Sequence, residues 1–166
     1  LEEELASQIQ LLLPLIETFV YGYDNEELET VIGQLLMEQN ANLATAESCT
    51  GGYIASKITS IPGCSQYYEG SVISYSNEMK NQILGVNTET LQSVGAVSEE
   101  TAKEMAEGVR KKLHTTYGLS TTGIAGPDGG TPAKPVGTVW IACAGPKGTV
   151  TKLLALKGSR AINIEM

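Results

Sequence analysis

Apolar positions along this chain recur with two periods. Over residues 2–16, Leu5, Ile9, Leu12 and Leu13 share one face, which predicts a helix with Pro14 near its end. "TFVYG" follows as a short strand candidate, and Asp24 with Glu27 three residues later reads as a capping box. Leu28, Val31, Ile32, Leu35 and Leu36 fit the spacing of an amphipathic helix closely. "NLATAES" is then a buried strand, and a helix over Thr50–Ser60 begins at the pair Gly51 and Gly52. After the break at Pro62 and Gly63, "GSVISYS" has strand character and a short polar helix starts near Asn77. Ser98 caps a further helix, with Glu99 and Glu100 in its first turn and a stripe of Ala102, Met105, Ala106, Val109 and Leu113. "GLSTTGIAG" is a strand running into a Gly/Pro-rich loop, Gly126–Gly137, and "GTVWIACAG" with "TVTKLLALKG" form a hairpin across Pro146–Gly148. Helices alternating with strands before a terminal hairpin predict a three-layer α/β domain, its sheet mostly parallel with one reversed strand.

Composition narrows the function classes. At 166 residues there is room for one domain with a substantial core, and no apolar run is long enough to span a membrane. The acidic start, Glu2–Glu4, is unlike a signal peptide. Cys49, Cys64 and Cys143 are odd in number and lack CxxC spacing, so neither a disulfide framework nor a zinc site is expected, and the cytoplasm is the expected compartment. A net charge of −8 argues against nucleic-acid partners but leaves a phosphorylated small molecule open, since one placed cation can hold a phosphate.

The candidate chemistry centres on "TAESCTGG", where Ser48 and Cys49 stand at a strand-to-helix turn. Ligands gather at such strand ends in open α/β sheets, and Gly51 and Gly52 let backbone N–H groups approach an anion or oxyanion. A plain helix start with small residues is the bland alternative. The turn lacks both the G-x-x-x-x-G-K-[ST] phosphate loop and the flanking glycines of a nucleophile elbow, since Ala46 and Thr50 stand where the latter would be. His114, the only histidine, shares a charged helix face with Lys103, Glu107 and Arg110 and reads as solvated. Lysine is the other base type. Lys80 follows the strand "SVISYS", and adjacent strands would bring it beside Ser48, with Tyr75 relaying the proton or holding the lysine. A base at neutral pH needs its pKa lowered by about three units, so Lys80 is either buried beside Ser48 or an ordinary surface lysine. Cys49 is a rival nucleophile or a small buried residue. The Gly126–Gly137 loop, with Asp128 and Lys134 at its tips, and Gly158, Ser159 and Arg160 at a helix start are further candidates, or plain surface loop and cap.

These pieces together resemble the CinA C-terminal domain family, the nicotinamide-nucleotide amidases also called PncC. The matching segments are "AESCTGG", "IPGCSQYYEGSVISYSNEMK", "LGV", "GAVSEETAKEMAEG", "TGIAGPDGGTPAKPVGTVW" and "GSRAINIEM", in order from Asn42 to Met166. The resemblance implies a three-layer α/β/α fold with a mixed sheet and a cytoplasmic, commonly oligomeric enzyme that needs no cofactor or metal. The implied reaction converts nicotinamide mononucleotide to nicotinate mononucleotide and ammonia. It places the nucleophile at Ser48 and, on the "YSNxxK" segment, Tyr75 and Lys80, which moves Lys80 from surface lysine to base. Thr50, Gly51, Gly52, Gly126, Asp128, Gly129 and Arg160 are the candidates for holding substrate. The resemblance also implies a connector over residues 1–40 ahead of a domain over 41–166, and a piece of a longer protein that stops short of the family's last helix. The alternative is a non-catalytic pyridine-nucleotide or phosphate-binding domain, or an oligomerisation domain, of a larger CinA protein.

Overall fold

A computed structural model describes residues 1–23 and 26–166. Helix α1 spans Glu2–Ile16 and α2 Leu28–Glu38; strand β1 is Leu43–Glu47 and helix α3 Tyr53–Thr59. Strand β2 (Tyr68–Ile73) leads into α4 (Asn77–Leu84), α5 (Thr88–Ser93) and α6 (Glu99–Lys112). Strands β3 (Tyr117–Gly123), β4 (Thr138–Gly145) and β5 (Gly148–Ala155) follow, and α7 (Arg160–Glu165) ends the chain.

The strands form one sheet in the order β2-β1-β3-β4-β5. β1 lies parallel to β2 and β3, while β4 runs antiparallel to β3 and β5, so β4 is the single reversed strand that the pattern predicts. All five residues of β1 are buried, as a central strand covered on both faces requires. On one face, Ala102 and Ala106 of α6 meet Ala142 and Ala144 of β4, and the small side chains bring helix and sheet close. Met105 and Val109 reach Ala44, Ala46 and Val86 on the same side. The other face packs Leu43 and Tyr67 against Leu36 of α2 and Ile58 of α3.

Several local expectations change. "TFVYG" is not a strand: Glu17–Phe19 is a 3₁₀ turn, Phe19 is exposed, and among the described residues the segment pairs with no strand of the sheet. Asp24 lies outside the described residues, and Glu27 is itself the N-cap of α2, without a side-chain cap bond. α3 starts at Tyr53 rather than Thr50, since Gly51 and Gly52 take φ of +61° and +104°, which a helix excludes. α5, rich in Thr, Glu, Gln and Ser, has no apolar period that would predict it. Among the described residues helix α1 packs mainly on the 3₁₀ turn after it, and Leu5, Leu11, Leu12 and Leu15 are exposed. Among the described residues no helix is long and apolar enough to cross a membrane.

Candidate active site

The carboxyl ends of β1, β2 and β3 lie side by side, and each delivers part of one site. The sheet ladder extends past the strand ends: Ser48 N–H donates to Thr121 O at 3.1 Å, and Ser74 N–H donates to Glu47 O at 2.8 Å. Ser48 is thereby tied to β3, and Ser74 to β1. Ser76 then caps α4, its hydroxyl accepting from Met79 N–H, and the first turn of that helix turns Lys80 back under the sheet end.

Lys80 is 1% exposed. Its Nζ lies 2.9 Å from Ser48 Oγ, 2.7 Å from Ser74 O and 3.3 Å from Tyr75 O. With no carboxylate among these partners, burial pulls the ammonium down from 10.5 to about 8, a little offset by attraction to Cys49. A neutral amine has two N–H groups and one lone pair. The two carbonyls accept both hydrogens, and the lone pair is left for the Ser48 hydroxyl.

Glu47 is fully buried, and sequence reasoning did not single it out. Its Oε2 accepts from the Thr50 hydroxyl at 2.7 Å, Gly52 N–H at 2.9 Å and Ile54 N–H at 3.1 Å. Its Oε1 accepts from Ala55 N–H at 2.8 Å and the Ser71 hydroxyl at 3.4 Å. Among the described residues it has no ion-pair partner. With Thr50 O, which accepts from Tyr53 N–H, the carboxylate therefore satisfies the start of α3, where free N–H groups would otherwise invite a ligand. The signal in the sequence was an acidic residue ending an otherwise uncharged buried strand.

This accounting changes the roles open to the glycine turn. Gly52 N–H is taken by Glu47 and Gly51 N–H by Ser48 O, while the Thr50 hydroxyl bonds Glu47 and Thr121. The backbone N–H groups of Cys49 and Thr50 donate to no oxygen acceptor among the described residues. Both lie near the Cys49 sulfur. Burial pushes that thiol up, and those two N–H groups together with the charges of Lys80 and Arg160 only partly oppose the rise. A protonated, buried Cys49 is a poor nucleophile.

The other expected residues divide. Arg160, first in α7, donates from Nη1 to Gly126 O at 2.8 Å and from Nη2 to the Tyr75 phenol at 3.4 Å, which brings Tyr75, Gly126 and Arg160 together. Tyr75 holds Lys80 through its carbonyl, while its 64% exposed side chain faces Arg160. Asp128 and Gly129 are exposed on the loop, and the Asp128 carboxylate makes no hydrogen bond to these groups. Lys134, expected as a loop tip, is anchored to Val94 O at 2.6 Å. His114 is exposed beyond the end of α6. A buried lysine hydrogen-bonded to a serine beside free backbone donors can deprotonate the hydroxyl and receive an oxyanion, the requirements of acyl transfer.

The model of the CinA C-terminal domain matches residues 25–166. The chain is 53% identical, over its whole length, to a CinA-like protein of Cytophaga hutchinsonii, of which it covers 40%. It is 49% identical over 95% of its length to a putative competence-damage inducible protein of Caldanaerobacter subterraneus subsp. tengcongensis, of which it covers 38%. It thus spans about 40% of the length of the curated relatives it matches. The solved structure of the competence/damage inducible protein CihA from Agrobacterium tumefaciens is similar with a TM-score of 0.82 and 37% identity, over 87% of this chain and 89% of that one. A competence-damaged protein (CinA) superfamily protein from Escherichia coli is similar with a TM-score of 0.81 and 30% identity, over 87% and 86% of the two chains.

Proposed function

Because the chain belongs to the CinA C-terminal domain family, we propose that its serine–lysine site is that of an amidohydrolase acting on nicotinamide mononucleotide. The observation that carries this reading is the fully buried Lys80 Nζ at 2.9 Å from Ser48 Oγ. Neutral Lys80 takes the proton of Ser48 as Oγ bonds to the carboxamide carbon. The N–H groups of Cys49 and Thr50 receive the oxyanion. When the intermediate collapses the C–N bond breaks, the Lys80 ammonium protonates the leaving nitrogen, and ammonia departs. Water then attacks the acyl ester, giving its proton to Lys80, which returns it to Ser48 as the nicotinate group leaves.

Arg160 serves the far end of the substrate. Two of its five N–H groups are engaged, one by Gly126 O and one by the Tyr75 phenol, so others remain for a ribose phosphate. In this reading Tyr75 orients Arg160 and holds Lys80 by its carbonyl, and its phenol stays out of the proton path.

Ammonia release from nicotinamide mononucleotide tests the proposal, with Ser48→Ala and Lys80→Ala run beside the parent. Release by the parent, abolished in both folded variants, is the expected result. A folded parent that binds the nucleotide but releases no ammonia returns the domain to a binding role.

A further inference from the structure

Helix α7 spans Arg160–Glu165. Three side chains fasten it to the domain: Ile164, Asn163 and Arg160. Ile164 packs into the cluster of Cys49, Ala125 and Val139. Asn163, 5% exposed, spends its whole side-chain amide on main chain. Its Oδ1 accepts from Gly158 N–H at 2.9 Å, and its Nδ2 donates to Gly158 O at 2.9 Å and Ala125 O at 3.0 Å. A Cβ at Gly158 would collide with Ile162 and crowd Asn163 Oδ1, so this closed ring needs glycine there. Ala125 is the neighbour of Gly126, the residue whose carbonyl accepts from Arg160. The helix thus grips the loop after β3 twice, through Asn163 and, three residues earlier, through Arg160.

We infer that Asn163 is a positioning residue that fixes Arg160 over the mouth of the Ser48–Lys80 site and so sets affinity for the phosphate end of the ligand. The inference rests on the reading of Arg160 given above. Only an amide side chain supplies both the acceptor for Gly158 N–H and the two hydrogens for the carbonyls; aspartate lacks the hydrogens and alanine lacks everything. Asn163 makes no hydrogen bond to Ser48 or Lys80, so its effect on the ligand passes through α7 and the loop.

A double-mutant cycle on binding tests this, with nicotinate mononucleotide titrated calorimetrically into the chain, Asn163→Ala, Arg160→Gln and the double variant. Asn163→Ala is expected to weaken binding about tenfold in the parent and less than about twofold once Arg160 is gone, because the two act as one unit. Equal losses in both backgrounds would assign Asn163 a general structural role and overturn the inference, as would no loss in the parent. Should the alanine variant not fold, Asn163→Asp keeps the size and the bond from Gly158 N–H and is expected to give the same non-additivity. A parent that does not bind nicotinate mononucleotide refutes the phosphate reading and the inference together. Ammonia release is read separately. Its absence with an intact cycle refutes the reaction alone, and its presence with an additive cycle refutes the positioning role alone.

Discussion

The pKa of Lys80 gives the mechanism a quantitative signature in the pH dependence of deamidation. A lysine titrating near 8 is about 1% neutral at pH 6, about 9% at pH 7 and about 90% at pH 9. The initial rate of ammonia release at saturating substrate should therefore rise about ninetyfold between pH 6 and pH 9 and then level off. A lysine at its ordinary value would still be climbing about tenfold per pH unit at pH 9. Unit slope continuing past pH 9.5, or a flat profile, would refute the buried-base mechanism. Lys80→Arg should be inactive at every pH, since guanidinium keeps its proton. The same burial destabilises the fold. A drop from 10.5 to about 8 corresponds to about 3 kcal/mol of disfavoured ammonium at pH 7. The folded-state pKa is depressed, so between about 8 and 10.5 the unfolded chain binds one proton more than the folded one. Stability from this group thus rises with pH across that window, and the penalty is complete below it. Lys80→Met removes the charge but leaves Ser74 O without a donor. It should therefore stabilise the fold by about 1–2 kcal/mol at pH 7 while lowering kcat at least about a hundredfold. Thermal unfolding of the two proteins at pH 7 and pH 10 checks this: the advantage of Met should shrink at the higher pH.

Two further substitutions probe the scaffold. Glu47→Gln puts an amide nitrogen among donors that all point at a carboxylate, and should cost about 1–3 kcal/mol in urea unfolding while lowering kcat more than it raises KM. Gly108→Ala drives a Cβ into Leu84 O at the end of α4 and should cost about 1–3 kcal/mol of stability, read as a lower urea midpoint at unchanged slope.

The elements with strong periodicity were legible in the sequence, and so was the reversed strand, because a hairpin after parallel units reverses direction by construction. The apolar stripe of α6 and the Ser98 cap appear as written, the cap hydroxyl accepting from Thr101 N–H. α5 and the 3₁₀ turn at Glu17–Phe19 escaped because tertiary surroundings, not period, decide them. At the site, the strand-end turn offered Ser48 and the family resemblance assigned the base to Lys80, but burial, which separates a base from a surface lysine, is a property of the assembled sheet end. Backbone accounting was also out of reach. That Glu47 occupies the N–H groups of Gly52, Ile54 and Ala55, leaving those of Cys49 and Thr50, depends on φ angles no composition reveals. Asn163 went unnoticed for a similar reason, since its partners are main-chain atoms 5 and 38 residues away.

Strand β2 occupies the edge of the sheet, bonded to a neighbour on one side only, whereas β1 is central and wholly buried. Ser48, the proposed nucleophile, stands at the end of the central strand, and Lys80, the proposed base, on the segment that follows the edge strand. The two groups of the proposed dyad thus have unequal footing. Opening of the margin from Tyr68 to Leu84 would withdraw the amine, and because Leu84 is buried with Met105 and Val109 of α6, it would also loosen that side of the core. Under the proposed reading, activity is therefore expected to depend on the integrity of the sheet edge as closely as the fold itself does.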